Sequence, residues 1–232
     1  MVPAIKLMTE ADFDKFEAEE SQRFPGALYG SPRQIKESWL DALEIALAAK
    51  DEEAIQCCIE ERPYLAQYVT PSTGHHGIWL FPKQQIAMHQ PNGLPGKIPD
   101  FLAVARNSDG YTWWIIELKR ADVQFANLRA DAFSPAANKA LVQCTSYLNQ
   151  FDRYVDAVRS MTGIKEIIRP KSVLLLIGDS RNEMPNQTAM RRNVNESLSE
   201  RLHVISYDRI KRHLQSDLRH WRGYRASQPS RD

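Results

Sequence analysis

Apolar residues recur at helical spacing in the first quarter of the chain and then give way to strand-like runs. Residues 9–20 read as a short acidic helix with Thr9 at the N-cap. Phe24-Pro25-Gly26 and Gly30-Ser31-Pro32 break the pattern, so 21–32 is expected to be loop. Ser31 and Pro32 then fit the cap and first turn of a helix reaching about Lys50, striped by Leu40, Leu43, Ile45, Ala46 and Leu47. A second helix over 51–61 places Ala54, Ile55, Cys58 and Ile59 on one side and ends before Pro63. Residues 70–76 and 91–96 are loop-like, and 78–88 alternates weakly, as a strand would.

Two clear β runs follow, 100–106 and 111–119, around Asn107-Ser108-Asp109-Gly110, a hairpin with a four-residue loop. Ser134-Pro135 opens a long helix to about 160. The continuous apolar run 172–178 is typical of a strand buried on both faces. A helix near 187–200, a strand at 202–206 and a helix near 207–218 complete the pattern, and 219–232 reads as a frayed basic tail. This order predicts an α/β fold with a mixed central sheet flanked by helices.

The hairpin carries the candidate chemistry. Glu117 and Lys119 share one face of their strand, while Ile116 and Leu118 point to the other. If Arg106 and Tyr111 close the loop, Asp100 lies opposite Glu117, with Cβ atoms about 4.5–5.5 Å apart. Two like charges in that position repel. A divalent cation would compensate, since hard Mg²⁺ takes carboxylate oxygen and water as ligands. Lys119 adds a positive charge on the same face, and a metal with an ammonium beside it suits phosphodiester hydrolysis. The same pattern also describes a solvated cross-strand ion pair, and a one-residue bulge would turn Asp100 away.

Composition changes the picture in two ways. The 232 residues are 43% hydrophobic and 25% charged, enough for a sizeable core. The formal net charge is +1, but residues 1–60 hold 13 acidic and six basic side chains, a net of −7 that leaves +8 on the remainder. A basic body is compatible with polyanion binding, and the acidic leader could mask it or simply be solvated. Cys57, Cys58 and Cys144 have neither an even count nor metal-binding spacing, which fits a reducing cytoplasm. No apolar run approaches a membrane span and the start has no signal-peptide core, so neither membrane insertion nor secretion is expected.

Pro99-Asp100 followed by Glu117-Leu118-Lys119 resembles the PD-(D/E)xK nuclease motif. The run IPDFLAVARNSDGYTWWIIELKRAD, the helix DEEAIQCCIEERPYL and the strand LLLIGD are similar to the nuclease domain of Shedu antiphage defence proteins, over roughly 36–214. The resemblance implies a restriction-endonuclease-like core over 36–214, an acidic helical leader and linker over 1–35, and a basic tail over 215–232. It implies Mg²⁺ or Mn²⁺ bound by Asp100, Glu117 and the Leu118 carbonyl, with Lys119 as the catalytic lysine. Gln143 and Tyr147 match the Q-x-x-x-Y pattern of RecB-like members, and Lys139 lies one turn earlier. Gln143 would position phosphate or water, Tyr147 would hold the scissile strand, and Lys139 could touch phosphate. An acidic residue from the first core helix is also implied, for which Glu53 and Glu60 are candidates. The expected activity is cleavage of DNA, nicking included, in antiphage defence by a homo-oligomer, dimer or higher. Shedu proteins carry a larger N-terminal sensing region; about 35 residues precede the core here, so a minimal stand-alone member is expected. A RecB-like end-dependent repair nuclease and a nucleic-acid-binding protein with an inactive nuclease fold remain alternatives.

Other features read more plainly. His75-His76 lacks a third ligand and is expected to be an ordinary loop pair. One of Trp113 and Trp114 should be core, leaving the other for a helix or a dimer contact. Arg191 and Arg192 are expected to be solvated, and the three cysteines to be buried in helices. Arg219-His220-Trp221-Arg222-Gly223-Tyr224-Arg225 mixes cations and aromatics, as segments that contact nucleic acid do, though it could equally dock on protein.

Overall fold

The central hairpin has the expected register: Phe101 pairs with Ile116, and Arg106 with Tyr111. Asn107 also pairs with Gly110, so pairing continues further into the predicted four-residue loop. Its Ser108 and Asp109 lie outside the described residues. The computed structural model describes residues 9–71, 76–87, 96–107, 110–198 and 200–227.

Around the hairpin, one six-stranded sheet runs in chain order: Leu28–Gly30 (β1), Ile78–Pro82 (β2), Phe101–Asn107 (β3), Gly110–Leu118 (β4), Ser172–Leu176 (β5) and Leu202–Ile205 (β6). The first four strands are antiparallel, and β5 and β6 join in parallel. The helices are Glu10–Ser21 (α1), Ser38–Ala48 (α2), Glu52–Glu61 (α3), Pro135–Thr162 (α4), Pro185–Ser197 (α5) and Asp208–Ser227 (α6). The fold is α/β, a mixed sheet flanked by helices. Among the described residues no helix is long and apolar enough to cross a membrane.

Strand periodicity divides the core. Phe101, Ala103, Trp114, Ile116 and Leu118 pack with Leu43 of α2, Ile55 and Ile59 of α3, and Ile210 and Leu214 of α6. Leu102, Val104, Trp113 and Ile115 pack with Leu141, Cys144, Leu148 and Phe151 of α4. Strand β5 divides its own side chains between the two clusters, which explains its unbroken apolar run. Both Trp113 and Trp114 are buried, so neither is left over for a dimer contact.

Helix ends follow their capping residues. Thr9 and Asp12 form a capping box on α1. Ser134 Oγ accepts from the Ala137 N–H at 3.1 Å to start α4, and Gly163 ends it with φ 71°. Asp51 caps α3, so that helix begins at Glu52.

Several expectations are corrected. The predicted 21–32 loop contains β1, which pairs with β2. The predicted 32–50 helix is a 3-10 turn, Pro32–Gln34, capped by Ser31, followed by a break at Ile35 before α2. The break lets Ile35 pack on the core, while Arg33 reaches Glu10 at 2.7 Å and Asp14 at 3.0 Å on α1. The leader is therefore tied down: Phe24 is buried in the core, and Trp79 Nε1 donates to the Glu20 carbonyl at 2.7 Å. Helix α6 runs on to Ser227 instead of fraying at 219. Side chains beyond His220, and residues 228–232, lie outside the described residues, as does His75. Cys57 is exposed, unlike Cys58 and Cys144. Arg191 is buried, with its guanidinium bonded to Glu183, donating to the Ile177 carbonyl at 3.1 Å and lying 4.9 Å over the Phe125 ring.

Candidate active site

Asp100 immediately precedes β3, and Glu117 is the penultimate residue of β4. Extending the observed register by one pair sets them opposite each other. Both are buried, so a solvated cross-strand pair does not describe them. Glu117 belongs to the strand positions that face α4, and that helix closes over it.

All four carboxylate oxygens are engaged. Asp100 Oδ1 pairs with the Lys83 ammonium, and its Oδ2 accepts the Leu118 N–H at 2.6 Å. Glu117 Oε1 accepts from Lys119 Nζ at 2.7 Å. Its Oε2 accepts from the Tyr147 hydroxyl at 3.1 Å, and the Gln143 amide donates to that hydroxyl at 2.5 Å. The i, i+4 spacing on α4 thus produces a chain from Gln143 through Tyr147 to Glu117. Tyr147 is itself buried. Its hydroxyl is turned towards Glu117, the contact through which α4 reaches the carboxylate. Lys139, one turn earlier, is exposed.

Burial dominates the electrostatics. It pushes the Glu117 carboxyl up to about 7, assisted by the Asp100 charge and opposed by Lys119 and Tyr147. Burial works against the Lys119 charge, but Glu117, Glu52 and Asp100 outweigh it and hold its pKa above the ordinary lysine value. Desolvation, then Glu117, drives the Tyr147 hydroxyl well above its usual range, so it stays a donor. The main chain of Lys119 is fixed as well: its N–H donates to the Leu176 carbonyl at 2.8 Å, and its carbonyl accepts from the buried Tyr207 hydroxyl at 2.8 Å.

Two residues of the site were not anticipated. Glu52, the first residue of α3, places Oε2 3.6 Å from Lys119 Nζ. Of the two helix acids predicted, Glu53 is exposed and Glu60 accepts from Gln56 at 2.6 Å. Asp51 in its capping role was the available signal, because it starts the helix at Glu52. Lys83 follows β2, whose register continues to set it opposite Asp100; the weak alternation of 78–88 concealed that register in the sequence.

The donor set fits a hard divalent cation. Asp100 and Glu117 offer oxygens, and the main-chain carbonyl of Leu118 would be a third. In the extended hairpin register Pro99 stands opposite Leu118, and proline has no N–H to give. The Leu118 carbonyl therefore gets no ladder bond from that neighbour. Oxygen donors of this kind suit Mg²⁺ or Mn²⁺. Among the described residues, no group of three or more His, Cys, Asp or Glu side chains is placed to hold a metal ion.

No family model and no curated protein matches this chain. Among solved structures it is similar to restriction endonuclease FokI, with TM-score 0.44 and 11% sequence identity over 95% of this chain and 33% of that one. The chain thus spans about a third of the length of that structure.

Proposed function

We propose that this chain is a divalent-metal-dependent DNA endonuclease of the PD-(D/E)xK type, acting in antiphage defence as Shedu proteins do. The supporting observation is the buried pair Asp100 and Glu117, opposed across β3 and β4, with the Lys119 ammonium 2.7 Å from Glu117. Asp100, Glu117 and the Leu118 carbonyl would hold Mg²⁺ or Mn²⁺. When bound, such an ion stabilises charge on phosphate oxygens and lowers the pKa of water. Lys119 orients the attacking water. That water's oxygen bonds to phosphorus, the bond to the leaving sugar oxygen breaks, one water proton passes to solvent, and the leaving oxygen takes up a proton from solvent. Tyr147 and Gln143 hold Glu117 in place, and Lys139 contacts backbone phosphate from the exposed side of α4. Contacts of this kind carry no base information, so sequence preference is low. The defence role and a homo-oligomeric state rest on the Shedu-like sequence run alone.

Incubation of supercoiled plasmid with Mg²⁺, Mn²⁺ or EDTA, beside Glu117→Ala and Lys119→Ala, tests this. Metal-dependent nicking or linearisation lost in both variants is expected; equal cleavage by Lys119→Ala rejects the assigned role. A RecB-like, end-dependent nuclease is the second reading, favoured by the Gln143–Tyr147–Glu117 chain. Cleavage of linear but not closed circular DNA would select it.

A further inference from the structure

The row of side chains that carries Asp100 and Glu117 has a third polar member. The β2–β3 register, from Ile78 with Ala105 to Pro82 with Phe101, continues to Lys83 opposite Asp100. The Lys83 N–H donates to the Asp100 carbonyl at 2.9 Å. Lys83 just past β2, Asp100 just before β3 and Glu117 on β4 therefore line up in one row across the sheet. Lys83 has φ 48°, a left-handed conformation that a residue with a Cβ rarely adopts. Side chains held in such backbone conformations cluster at functional sites.

The two lysines of the site differ in access. The Lys119 side chain is 17% exposed and sits on the inner carboxylate. The Lys83 side chain is 52% exposed and pairs with the outer one. A DNA strand brings further negative charge towards two carboxylates, so its approach needs a cation on the open side. Lys83 is the lysine that stands there, paired with Asp100. Its long stem allows the ammonium to leave Asp100 Oδ1, while the Leu118 N–H keeps Asp100 oriented through Oδ2 at 2.6 Å. A compact, rotatable ammonium suits a phosphate as a point charge.

We propose that Lys83 is a second phosphate-binding lysine of this site, engaging the backbone of bound DNA. This rests on the nuclease reading above. The test is the affinity of a labelled duplex, measured in EDTA across a series of NaCl concentrations, for wild type, Lys83→Met, Lys83→Gly and Lys83→Arg. Each lost phosphate contact lowers the slope of log affinity against log salt by about 1. Lys83→Met and Lys83→Gly should both show that drop, and Lys83→Arg should keep the wild-type slope. Glycine adopts φ 48° without strain, so Lys83→Gly removes the ammonium from a backbone that still folds. An unchanged slope in Lys83→Met and Lys83→Gly, whatever happens to thermal stability, means that Lys83 only braces Asp100 and overturns the proposal. Wild type that fails to bind DNA both in EDTA and with Ca²⁺ in its place overturns the nuclease reading, and this proposal with it.

Discussion

The Tyr147 hydroxyl donates to Glu117 Oε2 at 3.1 Å, from a helix 30 residues further along the chain. That contact joins α4 to the carboxylate at the end of β4 and fixes the second oxygen of Glu117 while Lys119 holds the first. Tyr147→Phe keeps the ring packing and removes the donor. A hydrogen bond to a charged group contributes about 1.5–3 kcal/mol, so cleavage should fall about 10- to 100-fold, and Tm by roughly 3–12 °C. The bond also pulls the Glu117 pKa down, so the acid limb of the pH–rate profile should move to higher pH. An unmoved acid limb would remove Tyr147 from the positioning role.

Glu117 links stability to pH. Its carboxyl rises from 4.5 when unperturbed to about 7 in the fold, through burial first and Asp100 second. Between those values the folded state binds more protons than the unfolded state, so stability falls as pH rises. The contribution is fully present below the unfolded value and lost as pH rises through about 7. Glu117→Gln cannot ionise. Measured in EDTA, its Tm relative to wild type should rise by several degrees between about pH 5 and about pH 8. A difference that stays constant over that window would show that Glu117 is not buried at an elevated pKa.

Glu52 is the acidic residue of α3 that reaches the site. Its side chain is 46% exposed, and it lies 3.6 Å from Lys119, so solvent weakens the pairing. Glu52→Gln should reduce cleavage about 1.5- to 5-fold. Glu53→Gln and Glu60→Gln should cleave at the wild-type rate. A loss confined to Glu53→Gln or Glu60→Gln would place the wrong acid beside Lys119.

Arg191 and Glu183 form a buried ion pair with side chains only 7% and 2% exposed. Removing one partner strands a charge in the interior. Arg191→Ala should cost about 3–5 kcal/mol, a fall in Tm of roughly 6–20 °C for a chain of this size. Replacing both partners with leucine should recover most of that loss, as an apolar pair of similar volume does. Calorimetric scans of the single and double variants check this, and equal losses in both would point to shape rather than charge.

What the sequence alone determined about this protein lies in local periodicity and in hairpin geometry. Period two and the turn between β3 and β4 were enough to oppose Asp100 and Glu117, because a hairpin register is set by neighbouring residues. Caps at Thr9 and Ser134 marked true helix starts for the same reason. Tertiary structure decided whatever depends on distant partners. Strand β1 is only three residues long, too short for its alternation to stand out, and it exists because β2 pairs with it. The 3-10 turn and the break after it follow from Arg33 reaching α1 and Ile35 reaching the core. Arg191 reads as a surface residue until Glu183 and Phe125 enclose it. In the site, the choice of Glu52 over Glu53 and Glu60 depends on where the start of α3 meets the end of β4. Lys83 enters through a strand pairing that the pattern of 78–88 is too irregular to reveal. Local geometry placed the two carboxylates, and packing across the sheet supplied the groups that hold their oxygens.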